Sequence, residues 1–418
     1  MGMCTIDRFF MPSIFLFLYI YPLFLNGVPI SSRVIFGILG FITILLKGNL
    51  NLDKIFLRPL NVAIYIVIIS MITAIYNATY DFYFAFYIIS IAVIFFAGYL
   101  FTFIFKRIIA KHDFITLVLR LFVYAIVAQS VIAVIFFVSP GIYSATTSIF
   151  PNTALYEEDT NIIGFRLIGL GSAFFSGGVI NGLALITIIY LYHKNNIKKS
   201  LIWAGIYLFI LFVGIMIART TIIGLGISIL YLILGKCETK RNSFLKKSKW
   251  IVSLFCITSL LAVFAIQYVD EQLLKFGFEF FYNYEKTGNF ESASTNRLQE
   301  MYILPDNLKT WIIGDGKYNT ADGHYYMSTD VGYLRLLFYG GLPMVLAFYY
   351  FSWCIIKQIY VIDKNRSLHI FLIYTFIYLL ILGFKGLADL NSFYLLICAC
   401  TYMHMKLMKR NKLSSYSV

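Results

Sequence analysis

Residues 329–343 read "TDVGYLRLLFYGGLP". Asp330 and Arg335 stand just before and just inside an apolar run, which Gly332, Gly340, Gly341 and Pro343 interrupt. Whether this run faces water or lipid decides the fold. The chain around it is 418 residues long, 60% hydrophobic and only 13% charged, with a mean hydropathy of +0.81. A soluble domain is nearer a quarter charged. The apolar runs are long and largely unbroken, unlike the ten-residue alternation of an outer-membrane barrel. Lipid forces each spanning segment to satisfy its own backbone, so the spans are expected to be helices. The expected fold is an all-α, polytopic integral membrane protein, with 1–418 as a single transmembrane domain.

A helix needs about 20 apolar residues to cross the hydrocarbon. Twelve candidate runs lie near 9–29, 33–47, 59–77, 82–105, 114–138, 168–192, 201–217, 220–235, 250–268, 331–356, 368–384 and 387–405, of which the second, seventh, eighth and eleventh are short. The first has no small-residue cleavage site behind it and reads as a retained span. Alternate connections are basic, among them Lys106/Arg107/Lys111, the stretch 236–250 and the tail from Lys406 to Lys412. That side carries 23 Lys and Arg against five acids, the other nine against fifteen. The positive-inside rule then puts both termini in the cytoplasm. The net charge of +14 is accounted for by topology and needs no nucleic acid; membrane lipid is the expected surface partner.

Two sizeable outer loops follow, 139–167 and 269–330. All six cysteines fall outside them, so no disulfide framework is expected there. Cys398 and Cys400 read as small apolar residues. In 270–286, Leu273, Phe276, Phe280, Phe281 and Tyr284 share one helical face; Lys275, Glu279, Tyr282 and Lys286 share another. Such a helix suits the membrane interface or the protein's own surface. Ser294 or Thr295 is expected to cap a short helix carrying Arg297 and Glu300. The glycine-broken stretch 312–330 then brings His324 and Asp330 back to the membrane. Gly314-Asp315-Gly316 has no strand–helix unit around it and is no dinucleotide fingerprint. Glu157, Glu158 and Asp159 read as a solvated face, and Lys385 with Asp389 as a helical ion pair.

Four arginines, Arg166, Arg219, Arg297 and Arg335, lie on or near the outer side. Arginine at membrane depth needs a partner or a wet cavity. Its planar fork suits bidentate contact with phosphate and it stays charged. A membrane amphiphile carrying a diphosphate fits such a set. Ion pairing, for example of Arg297 with Glu300, and snorkelling of Arg335 are the structural alternatives.

The pattern resembles the Wzy-type O-antigen polymerases of the O-antigen ligase–polymerase superfamily. The resemblance runs over nearly the whole chain as topology. Locally it rests on "FRLIGLGSAFFSGG" (165–178), "MIARTTIIGLG" (216–226), "NRLQEMYILPDNLKTWIIGDGKYN" (296–319) and "DVGYLRLLFYGGLP" (330–343). Ligases often carry a histidine at the start of the last segment. Here Asp330 stands there, and His324 lies six residues earlier.

The resemblance implies a glycosyltransferase that joins lipid-linked oligosaccharide repeat units into a surface polysaccharide. The donor and the acceptor are both polyprenyl-diphosphate-linked glycans, and a chain-length-regulator protein is the implied partner. The implied location is the bacterial cytoplasmic membrane, with the active site facing outward. Arg166, Arg219 and Arg297 are the candidates to stabilise the leaving diphosphate, with Arg335 as a further binding cation. Asp330 is the leading candidate for the catalytic base, with His324 in reserve. The bland reading of Asp330 is a helix cap. No metal and no cofactor is expected. A ligase acting on lipid A core, or a flippase for lipid-linked sugars, would show a similar outline.

Overall fold

The computed structural model describes residues 7–47, 57–109, 114–151, 166–172, 174–194, 200–235, 275, 279–289 and 292–415. Its helices are α1 (Asp7–Ile20), α2 (Ser32–Lys47), α3 (Leu57–Tyr76), α4 (Tyr83–Ile104), α5 (Lys106–Ile109), α6 (Phe114–Val138), α7 (Pro140–Ile149), α8 (Phe174–His193), α9 (Ser200–Ile217) and α10 (Thr221–Leu234). They continue with α11 (Glu279–Thr287), α12 (Ala293–Glu300), α13 (Leu308–Ile312), α14 (Gly332–Asp363), α15 (Arg366–Leu382) and α16 (Asn391–Ser415). No strand forms among the described residues. The all-helical expectation holds, and eleven of the twelve apolar runs contain a helix. The other run, 250–268, lies outside the described residues, as do the basic stretch 236–250 and Glu157, Glu158 and Asp159. Among the described residues, five helices are long and apolar enough to cross a membrane: Arg58–Tyr76, Tyr83–Ile104, Phe114–Val138, Phe174–His193 and Gly332–Asp363.

The chain divides into two compact units. The first contains 1–32 and 115–291. At its centre, α8 is buried along almost its whole length from Gly177 to His193. Its sequence is apolar all round, as a fully enclosed helix requires. Gly178 and Gly182 lie one turn apart on α8, facing the turn before α10 and α10 itself. A Cβ on Gly224 of α10 would fall 2.2 Å from Gly182 Cα. The two backbones therefore touch, the packing that small-xxx-small spacing allows in lipid. A hydrogen bond of 2.6 Å between the Tyr207 and Ser228 hydroxyls ties α9 to α10.

The second unit contains 33–114 and 292–418. Here the expected single span 331–356 needs correction, because α14 is broken. Gly340 and Gly341 depart from helical geometry, Gly341 at φ +68°. Pro343 explains part of the break. It has no N–H to give to Tyr339 O, and its ring would collide with that carbonyl in a continuous helix. The two arms then fold back. The Tyr333 and Tyr349 rings lie 5.1 Å apart, although sixteen residues of straight helix would separate them by about 24 Å. The carbonyls freed at the break are taken by the segment after α13. Asp315 N–H donates to Phe338 O at 2.6 Å and Gly316 N–H to Tyr339 O at 3.0 Å. The end of α3 secures that segment in turn. Thr73 Oγ1 donates to Ile313 O at 3.0 Å, and Asn77 Nδ2 donates to Gly314 O at 3.2 Å.

At Gly341 a Cβ would lie 2.5 Å from Ile312 O, in a backbone region that L residues avoid. Gly341→Ala is expected to lower stability by about 1–3 kcal/mol, with Gly226→Ala, where nothing lies within 4 Å, as the neutral comparison. Denaturation of the detergent-purified proteins measures both; equal stability would mean that the break does not need glycine.

Candidate functional site

The six residues singled out from the sequence divide between the units. Arg166 and Arg219 belong to the first; Arg297, His324, Asp330 and Arg335 belong to the second.

In the first unit, residues 166–172 run irregularly into α8. Leu167 N–H donates to Met216 O at 3.2 Å, which brings Arg166 alongside the end of α9. Gln129 Nε2 holds Leu170 O at 2.8 Å. The Arg166 guanidinium lies 5.3 Å from the centre of the Phe174 ring. Arg219 stands in the tight turn between α9 and α10 and is buried. Its guanidinium pairs with Glu279 of α11. Glu279 belongs to the face that the sequence marks as polar, and the buried arginine explains why that face carries an acid there.

In the second unit, Ser292 rather than Ser294 or Thr295 caps α12, accepting from Thr295 N–H at 3.2 Å. Arg297 and Glu300 are exposed, and neither takes part in an ion pair among the described residues. A turn over 318–326 follows, closed by Thr320 N–H to His324 O at 2.7 Å and Tyr326 N–H to Tyr318 O at 3.1 Å. Asp81 Oδ2 anchors it by accepting Tyr318 N–H at 2.8 Å. Asp315 is held by Lys309 at 3.2 Å and by the Thr310 hydroxyl at 2.7 Å.

The turn delivers two rings to Arg335. The guanidinium carbon lies 4.3 Å from the Tyr318 ring centre and 3.4 Å from that of Tyr325. Tyr83 stacks on the far side of Tyr318 at 3.5 Å and 14° between planes. Burial pushes the Tyr318 phenol up, with Arg335 pulling it the other way, so the ring stays neutral. Arg335 does not snorkel: it is 9% exposed, and its Nε is buried without a hydrogen-bond partner. No carboxylate meets it among the described residues. Cation–π contact offers about 2 kcal/mol when desolvated, against a desolvation penalty of several kcal/mol for a buried ion. The two rings alone leave the charge under-compensated, and an anion at the guanidinium edge would correct that.

Asp330 does not cap α14. Val331 is the N-cap residue and no side chain caps the helix; Thr329 Oγ1 accepts Val331 N–H at 3.3 Å and donates to Met301 O at 2.8 Å. The Asp330 carboxylate is exposed, and none of its hydrogen bonds goes to a described residue. His324 is exposed in the turn beside Tyr325. Lys385 and Asp389 are not a helical pair, since 383–390 is an irregular turn. Asp389 instead accepts Asn391 N–H at 2.7 Å. Among the described residues no three His, Cys, Asp or Glu gather to hold a metal.

Sequence reasoning missed the tyrosine cage, although "GKYN" and "GHYYMS" carry the rings on both flanks of one turn. It also missed that Arg219 already has its acid.

Glu279→Gln is expected to destabilise the protein by roughly 3 kcal/mol, because it leaves Arg219 buried without its counter-charge. Adding Arg219→Met should recover part of the loss. Equal stabilities across wild type, single and double variants in denaturant titrations would remove the pair's structural role.

Comparison with family models, with curated proteins and with solved structures returns no match.

Proposed function

We propose that the chain polymerises polyprenyl-diphosphate-linked oligosaccharide repeat units into a surface polysaccharide by glycosyl transfer. The observation that carries this reading is Arg335, a buried cation flanked by tyrosines with no carboxylate beside it among the described residues. A diphosphate on a membrane anchor supplies the missing anion. Arg297, exposed on α12 of the same unit, is a further cation for the leaving diphosphate. Arg219 is engaged by Glu279 and serves structure first. His324 and Asp330 lie exposed at the same end of the second unit and are proposed to meet the acceptor sugar. The charge asymmetry of the loops supports an outward-facing site in a bacterial cytoplasmic membrane.

A transporter of lipid-linked oligosaccharide is the second reading, favoured by the break in α14, since discontinuous helices often line transport paths.

The deciding measurement is a gel of surface polysaccharide from a strain lacking the gene, with and without its restoration. Polymerase activity predicts loss of the ladder with a single-repeat band remaining. Loss of every band points to transport or ligation, and an unchanged ladder rejects all three. Arg335→Met is expected to reproduce the deletion while membrane levels of the protein stay normal. Arg335→Lys should restore little, because a lysine lacks the planar group that lies against both rings.

A further inference from the structure

The turn 383–390 contains an acid to which the preceding reading gives no role. Asp389 is exposed to solvent, and α4 and α16 supply the groups around its carboxylate. Two donors orient it: Asn391 N–H at 2.7 Å and the Tyr87 hydroxyl of α4. The Tyr87 hydroxyl proton has a defined direction. Ser352 Oγ of α14 donates to Asn391 Oδ1 at 2.8 Å, and Asn391 Nδ2 donates to the Tyr87 oxygen at 2.7 Å. Tyr87 is then left to donate onward, and the chain of bonds ends on the carboxylate, the one member with no proton to give.

The same turn packs against the arm that carries Arg335. A Cβ on Gly332 would lie 2.5 Å from Gly386 O, and Tyr333 N–H donates to Gly383 O at 3.2 Å. Around the carboxylate stand Tyr87 from α4, Arg33 from α2, and Asn391 and Tyr394 from α16. Burial pushes the Asp389 carboxyl up, with Asn391, Tyr87 and Arg33 pulling it down. A raised carboxylate is the better proton acceptor near neutral pH. Asp330 is exposed as well, but no described residue donates to its carboxylate.

Resting on the glycosyl-transfer reading above, we propose that Asp389 is the general base of the reaction, with Tyr87 as its positioning residue. The acceptor hydroxyl oxygen bonds to the donor's anomeric carbon as the bond from that carbon to the diphosphate oxygen breaks. The electron pair leaves with polyprenyl diphosphate, and the hydroxyl proton passes to the Asp389 carboxylate. His324 and Asp330 are left to bind acceptor hydroxyls.

The test uses the full-length chain in the deletion strain, with protein in the membrane measured by a C-terminal tag. Asp389→Asn should leave only the single-repeat band and lower polymerisation in membrane vesicles about a hundredfold or more. Asp322→Asn, an exposed loop acid, should keep the ladder. Should Asp389→Asn fail to accumulate, Tyr87→Phe decides through the pH profile in vesicles. Losing its hydrogen bond removes a stabiliser of the carboxylate, so activity should fall off at a higher pH on acidification. An Asp389→Asn protein that restores the full ladder, or a Tyr87→Phe profile that does not move, overturns the proposal. If the ladder does not depend on the gene at all, the glycosyl-transfer reading has failed instead.

Discussion

The second unit depends on how the carbonyls of Phe338 and Tyr339 are satisfied. A break in a helix at membrane depth exposes backbone groups that lipid cannot solvate, each at a cost of several kcal/mol. Gly340, Gly341 and Pro343 make the break, and the amides of Asp315 and Gly316 repair it. The repair has consequences well beyond two hydrogen bonds. It pins the segment after α13 against α14, and the turn 318–326 then starts from a fixed point. The Asp81 carboxylate, the end of α3 and the Tyr339 hydroxyl, which donates to Asp81 O at 2.6 Å, complete the clamp.

That clamp is what allows an arginine to be buried without an acid. Tyr318 and Tyr325 reach Arg335 only because the turn between them is held at both ends. Tyr83, stacked on Tyr318 and itself 40% exposed, carries the aromatic stack to the surface. The fold-back of α14 also brings the 383–390 turn against the arm that carries Arg335. A cation and an oriented carboxylate are thus linked through one packed arm rather than through a flexible loop.

The first unit solves a similar problem differently. Its buried charge, Arg219, is met by an acid from another helix, and its close helix contacts rely on glycine rather than on a broken backbone. The two units show the two routes by which lipid-embedded chains accommodate polar groups: pairing, and enclosure by aromatic and backbone partners.

Much of this was legible in the sequence. Apolar runs of span length set the helices, because in lipid the backbone must close on itself within each segment. Gly340, Gly341 and Pro343 interrupt the apolar run, but its length reads as one span, and the break itself is decided in the fold. Of the four arginines, Arg219 is met by an acid, while Arg297 is exposed and Arg335 lies against tyrosine rings. The partners themselves were decided only in three dimensions. Glu279 lies sixty residues from Arg219, and Tyr87 about three hundred from Asp389 and Asn391. Helical spacing therefore suggested Lys385 for Asp389 and Glu300 for Arg297, and neither pair forms. A sequence reports which groups cannot remain alone; which group answers each one depends on where the chain doubles back, and at α14 that is set by hydrogen bonds between segments far apart in the sequence.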